Sequence, residues 1–387
     1  MDAWPVTAAR SLAPAVRTRV LHVVQNLNYG GMERLIADLV RHVDRDRFES
    51  HVLVLEYAGR FSRDLDGAPL HRGGSLPRWS MLWPRALARQ IAAIAPDVVH
   101  THSGVWYKAS LAARQAGVRR VIHTEHGRHR PDSWRHRLVD HLAARRTDVV
   151  VAVSEPLATE LARGVVRRSA PIHVVLNGVD TSRFRPRADT GAARRALGIA
   201  RDVPVLGSIG RLEPVKGYDV MLEAFGLLRA RWRDAPGPVL VVVGDGAERG
   251  RLGVLAQRLG IADGVRLLGW RDDVDDLHAM FDLFTLASRS EGTSVSLLEA
   301  MSAGLCPVVT DVGGNGAVLG DILGHRLVPE GDAAALAVAW QRALDGPDGR
   351  RRDGAEARSR AVDRFGLGEM VRTYQALYLG TGAGESR

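Results

Sequence analysis

The chain is nearly devoid of cysteine: Cys306 is the only one among 387 residues. That excludes an intramolecular disulfide, and no Cys/His cluster has the spacing of a structural zinc site. Nothing demands an oxidising compartment. Long apolar runs are missing too, and none reaches the roughly 18 to 20 residues that cross a bilayer. The stretch from Met1 to Thr18 mixes Ala, Pro and Arg without the apolar core of a signal peptide. It reads as a loose tail (1–18), and a cytoplasmic location is expected. Long repeats and low-complexity segments are absent. No Gly-x-Gly-x-x-Gly follows the first strand-like run, since Asn28-Tyr29-Gly30-Gly31 does not fit. This argues against a nicotinamide-dependent dehydrogenase.

What is present is an ordinary soluble composition, 45% hydrophobic and 25% charged, which fits a packed globular chain. The length exceeds one common core, so about two units of 150 to 200 residues are expected. The net charge is +9, nearly all of the basic residues being arginine. Basic residues crowd between Arg119 and Arg146: Arg119, Arg120, Arg128, Arg130, Arg135, Arg137, Arg145 and Arg146, with five histidines. Either this is a solvated helix face or a surface for anionic lipid or a lipid-diphosphate acceptor. No nucleic-acid partner is expected.

Apolar runs and helical periods alternate along the chain. Strands are expected at Arg19–Val24, His51–Leu55, Asp97–His100, Arg120–His123 and Asp148–Ser154. A second series covers Val203–Ile209, Val239–Val243, Val265–Leu268, Leu283–Ala287 and Pro307–Thr310. Helices fall between them, at Trp83–Ile94, Lys108–Ala116 and Tyr218–Arg231, and one closes the chain at Leu367–Leu379. Strands separated by helices imply parallel α/β sheets with right-handed crossovers. Asn177-Gly178-Val179-Asp180, followed by Phe184 and Pro186, interrupts regular structure and marks a hinge. The expected units are 19–185 and 186–365, with the final helix (about 366–380) packing back on the first.

In such sheets ligands bind beyond the carboxyl ends of strands. Gly30-Gly31-Met32-Glu33 follows the first strand, and two glycines ahead of a helix N-terminus suit a phosphate or a tight turn. Gly210-Arg211-Leu212 with Lys216-Gly217 occupies the equivalent place in the second unit. Arg211 and Lys216 read as a pair aimed at a diphosphate. Glu291-Gly292-Thr293-Ser294-Val295 follows another strand, with Glu299 about a turn into the next helix. Thr293 or Ser294 caps that helix. The N–H groups of Gly292 to Val295 offer donors, and the two carboxylates suit vicinal hydroxyls. Asp273-Val274-Asp275 reads as an acidic helix start rather than a metal site.

Together these segments resemble the retaining glycosyltransferases of family 4. The resemblance runs from about Arg19 to Leu379 and is most specific at Gly210–Gly217 and Glu291–Glu299. Support comes from Gly30–Arg34, Thr124-Glu125-His126-Gly127, Val153-Ser154, Asn177–Asp180 and Val312-Gly313-Gly314. The resemblance implies two facing Rossmann-like domains with a cleft between them, the GT-B fold. It implies a UDP- or GDP-type sugar donor held by Gly30, Gly31, Gly210, Arg211, Lys216, Glu291, Gly292, Thr293, Ser294, Val295 and Glu299. His126, Arg211, Lys216 and Glu291 become the catalytic set, with Glu291 facing the sugar and Glu299 the ribose. No metal and no cofactor are implied. Among family members the likeness is to bacterial exopolysaccharide-associated transferases, with a carbohydrate or lipid-linked sugar as acceptor. His100 and His102 are lesser candidates for the acceptor side. Acceptor choice is expected within Tyr57–Trp83 and Gly127–Trp134, where Trp79, Trp83 and Trp134, with Trp106, stack on sugars, pack in the core or lie on the surface. One departure is Asn315-Gly316-Ala317, where the family often carries a proline and a glutamate. A sugar-nucleotide epimerase or hydrolase, or a silent nucleotide-sugar-binding subunit, remain alternatives on the same fold.

Overall fold

The computed structural model describes residues 17–28, 30–73, 84–128, 133–166, 169–187, 191–233 and 236–381. Trp79, Trp83, Arg130 and most of the N-terminal tail lie outside the described residues. The first domain carries seven strands: β1 (Thr18–Asn26), β2 (Phe48–Tyr57), β3 (Leu70–Arg72), β4 (Val98–His102), β5 (Arg120–Glu125), β6 (Val149–Ala152) and β7 (Ile172–Val174). The second carries β8 (Val205–Ile209), β9 (Val239–Val243), β10 (Val265–Leu267), β11 (Leu283–Leu286), β12 (Pro307–Thr310) and β13 (Leu327–Val328). Their orders are β3-β2-β1-β4-β5-β6-β7 and β10-β9-β8-β11-β12-β13, and every pairing is parallel.

Both sheets are covered by helices on two faces, so their strands bury successive residues on both faces rather than alternating buried and exposed. Val20, Leu21, Val23 and Val24 of β1 are all fully buried, as are Val205 and Leu206 of β8. In each sheet the order reverses beside the first strand, between β1 and β4 and between β8 and β11. A crevice opens at such a switch point, outside the strand ends. The two crevices face each other.

The chain crosses between domains twice, and the crossings are tied together. Val179 N–H donates to Phe365 O at 2.8 Å, and Leu367 N–H donates to Val179 O at 3.0 Å. Gly178 has no side chain because a Cβ there would stand 2.8 Å from Leu367 Cα. The Leu367–Leu379 helix then packs on the first domain, burying Met370, Val371, Tyr374, Leu377 and Tyr378 against Val20, Leu39, Phe48 and Ile122. Each such side chain contributes roughly 1.5 to 3 kcal/mol relative to exposure. The two tyrosines enter the core because their hydroxyls find partners: Tyr378 at His100 Nδ1 (2.9 Å) and Tyr374 at Thr124 Oγ1 (3.1 Å).

Candidate active site between the domains

A cavity of about 670 Å³ lies between the two strand-end crevices. That size suits a small ligand such as a nucleotide sugar, within the roughly 300 to 1,000 Å³ of typical sites. Its walls come from both domains. Gly30, Gly31, Glu33, Arg34 and His126 belong to the first; Gly210, Arg211, Lys216, Glu291, Gly292, Thr293, Ser294, Val295 and Glu299 belong to the second.

Backbone packing explains why the second-domain segments converge. Gly217 sits at φ 63°, and a Cβ there would lie 2.0 Å from Ala287 O at the end of β11. Arg289 N–H donates to Val215 O at 2.8 Å, stitching the Lys216 turn to the loop that carries Glu291. The result is a charged contact: Lys216 Nζ donates to Glu291 Oε1 at 2.6 Å, and Ser288 Oγ donates to the same oxygen at 2.7 Å. Arg211 Nη1 pairs with Glu213 Oε1 at 3.0 Å. Behind the Glu291 loop lies Val312-Gly313-Gly314. Gly313 has φ 55°, and a Cβ there would fall 1.7 Å from Glu291 O; one on Gly314 would fall 2.1 Å from Gly292 O. Those glycines exist so that two loops can touch.

The helix Val295–Ser302 is capped by Ser294, whose Oγ accepts from Leu297 N–H at 3.4 Å. Thr293 is not an alternative cap. Its Oγ1 donates to Val153 O in the first domain at 2.6 Å, and its carbonyl accepts from Asn177 Nδ2 at 2.8 Å. Gly292 closes up on His126, since a Cβ at 292 would stand 2.3 Å from His126 O. The Glu291–Ser294 loop is thus one place where the domains meet. Glu299 lies one turn into the helix, and burial raises its pKa to about 7 while Arg34 from the first domain pulls it down. Glu33 is likewise raised to about 7 by burial, opposed by its own backbone N–H and by Arg211. No side chain caps the Gly31–His42 helix. Its first turn, Gly31 to Arg34, lines the cavity, and helix N-termini of this kind can hold an anion.

Two family models match the chain. The one described as Glycosyltransferase Family 4 matches residues 29–183, and Glycosyl transferases group 1 matches residues 189–360. N-acetyl-alpha-D-glucosaminyl L-malate synthase of Bacillus anthracis is 30% identical over 76% of this chain and 78% of that protein. The chain belongs to the family 4 glycosyltransferases. The Escherichia coli UDP-Gal:alpha-D-GlcNAc-diphosphoundecaprenol alpha-1,3-galactosyltransferase is 29% identical to this family member over 64% of its chain. The chain spans just under two thirds of two such relatives, 66% of that enzyme and 64% of another. HepE of Anabaena, solved with UDP and glucose, shares the fold: TM-score 0.79 at 21% identity, over 94% of this chain and 100% of that one.

Several expectations for this family member are revised by the structure. His100 and His102 do not line the acceptor side. The strand β4 runs two residues further than its apolar pattern suggests, so both rings are buried within the sheet. Likewise β5 extends to Glu125, and His126 is the first residue beyond it. His123 stacks on Trp106 at 3.9 Å and 3°, which places Trp106 in the core; its Nε1 donates to Thr147 Oγ1. The basic run is not one surface. Arg128 is buried on Asp140 at 2.8 Å, Arg120 donates to Leu377 O, and Arg146 donates to Leu142 O. The acidic helix start at Asp273-Val274-Asp275 is found as expected: Asp273 precedes the Val274–His278 helix and Asp275 lies in its first turn, Asp273 paired with Arg271 and Asp275 with Arg183 and Arg187. Asn315 is buried and donates to Thr310 O at 3.0 Å.

Cavity residues that motif reading missed include Arg34, Phe61, Arg183 and Trp270. Phe61 and Trp270 meet edge to face at 5.6 Å across the cleft. Arg34 had a signal nearby, one residue after Glu33, and Arg183 stands one before Phe184; Phe61 lies in the 3-10 turn Arg60–Asp64 and Trp270 in a loop, neither with a local pattern. Among the described residues, no helix is long and apolar enough to cross a membrane.

Proposed function

We propose that this enzyme moves a sugar from a UDP-type sugar donor to a hydroxyl of a carbohydrate or lipid-linked sugar, keeping the anomeric configuration and using no metal. The observation that carries this reading is the convergence of Arg211 and Lys216 with the Glu291–Glu299 segment around one interdomain cavity. Lys216 and Arg211 neutralise the diphosphate as the glycosidic bond lengthens toward an oxocarbenium-like state. Glu291 Oε1 is occupied by Lys216 and Ser288, which leaves Oε2 to accept a sugar hydroxyl. Glu299 accepts from the ribose. His126 contacts the sugar from the first domain. The acceptor attacks on the face the diphosphate leaves, and a diphosphate oxygen takes its proton. Rotation about the paired crossings at Val179 and Phe365 closes the cleft against water. The relatives named for UDP-galactose transfer and for UDP and glucose binding support this donor class. The test is a panel of UDP-sugars with carbohydrate and lipid-linked acceptors, in EDTA. Turnover is expected to survive chelation, and proton NMR of the product is expected to show the donor's anomeric form. An inverted product, or activity abolished by EDTA and restored by a divalent ion, contradicts the reading.

The same proposal gives the Trp134–Ala144 helix a role at anionic lipid. Trp134 is 70% exposed and Leu138, one turn on, is 50% exposed. Arg135 and Arg137 flank them in solvent. An apolar pair amid exposed cations suits an interface of headgroups and acyl chains. Co-sedimentation with phosphatidylglycerol vesicles is expected, and Trp134→Ala/Leu138→Ala should weaken it at least about tenfold. Equal binding by the double variant removes this surface from the account.

A further inference from the structure

Three imidazoles run end to end from the core of the first domain to the cleft. His22 Nδ1 on β1 lies 3.3 Å from His102 Nε2 at the end of β4, and His102 Nδ1 lies 3.1 Å from His126 Nε2. His22 and His102 are buried, and His126 lines the cavity. The His126 Nδ1 atom is closed off from solvent and has no hydrogen-bond partner. His100 lies beside the chain but takes no part in it, because its two nitrogens are taken by Tyr378 and Thr124. Burial keeps the chain neutral: it lowers His22 to about 3 and His126 to about 4, and holds His102 well below the ordinary value.

A neutral imidazole bears one proton, on one of its two nitrogens. Each N···N bond needs one donor and one acceptor. If His126 carries its proton on Nδ1, its Nε2 accepts from His102 Nδ1–H. His102 Nε2 is then bare and accepts from His22 Nδ1–H, so all three rings are Nδ1–H. If His126 Nδ1 is bare, the same reasoning makes all three Nε2–H. Any mixture sets two lone pairs or two N–H groups face to face.

We propose that His102 is a positioning residue, and that with His22 behind it His102 fixes the tautomer of His126, and so whether its unpartnered Nδ1 is a donor or an acceptor. The catalytic part of this rests on the reading of His126 as a sugar contact. The tautomer coupling stands without it.

The test is long-range ¹H–¹⁵N NMR of histidine-labelled protein, with and without UDP-glucose. His22, His102 and His126 are expected to share one tautomer in both states, switching together if they switch at all. Opposite tautomers on adjacent rings overturn the proposal. So does a stoichiometric metal ion in the purified protein on His22, His100 and His102, whose ring nitrogens lie within 4.8 Å of one another. Two substitutions then probe the role in turnover. His102→Asn keeps an amide near the Nδ1 position facing His126, whereas His102→Gln puts it near the Nε2 position facing His22. His102→Asn is expected to keep kcat within about threefold, and His102→Gln to lower it roughly tenfold or more with KM little changed. Equal losses in the two, with shared tautomers retained in the parent protein, remove His102 from catalysis and leave the donor-site reading of Arg211 and Lys216 untouched.

Discussion

Replacing Lys216 by alanine lowers kcat and kcat/KM together, by roughly 10² to 10³-fold. The Lys216 ammonium is matched by Glu291, with both side chains largely withdrawn from solvent. That pairing holds the cation ready and limits its mobility. As the sugar–oxygen bond breaks, the diphosphate gains charge, and a fixed cation at the strand end stabilises it more than it stabilises the bound donor. The loss therefore appears in the chemical step rather than only in KM. Alanine also deprives Glu291 of its counter-charge, which destabilises the fold in its own right. The Lys216→Ala/Glu291→Gln double variant separates these effects. Its melting temperature is expected to recover toward that of the parent, while its rate stays low. Turnover by Lys216→Ala within about threefold of the parent, at saturating donor, removes the clamp from the mechanism.

Gly313→Ala is expected to cost nearly as much activity, although Gly313 is not among the residues lining the cavity. At φ 55° an alanine is strained, and its Cβ would fall 1.7 Å from Glu291 O. The Glu291 loop must move, because the obstacle is backbone and not the end of a flexible side chain. A displacement near 1 Å in a reacting site is worth on the order of 10²-fold in rate. Strain of this kind costs about 1 to 3 kcal/mol as well. Paired measurement of kcat and of denaturant midpoint checks both, and Gly331→Ala supplies the control. Gly331 also has a left-handed φ of 72°, yet nothing lies within 4 Å of its added Cβ. A stability loss without a rate loss in Gly313→Ala would show that the loop contact is structural alone.

Much of the architecture is legible because buried parallel strands announce themselves as valine-rich runs. The helices Tyr218–Arg231 and Leu367–Leu379 fall where helical spacing puts them. The strands β3, β7 and β13 escape, being two or three residues long and near sheet edges, too short to leave a period. Where apolar pattern stops before a strand does, side-chain placement goes wrong. His100 and His102 are polar yet belong to β4, because each ring finds hydrogen-bond partners inside the fold. The site is legible where it is local, as in Gly210–Gly217 and Glu291–Glu299. It is illegible where it depends on the two domains meeting. Arg34 acts on Glu299 from 265 positions away in sequence, and Phe61 reaches Trp270 across the cleft. No spacing rule joins such pairs. The glycines of Val312-Gly313-Gly314 are visible as a motif, but their purpose, close loop contact, appears only in three dimensions.

A crystal structure with UDP bound tests the central claim most directly. The diphosphate is expected between Arg211 and Lys216, its oxygens within roughly 2.7 to 3.2 Å of both cations, with the ribose hydroxyls on Glu299. Nucleotide bound elsewhere, with Arg211 still on Glu213 and Lys216 still on Glu291, would contradict it.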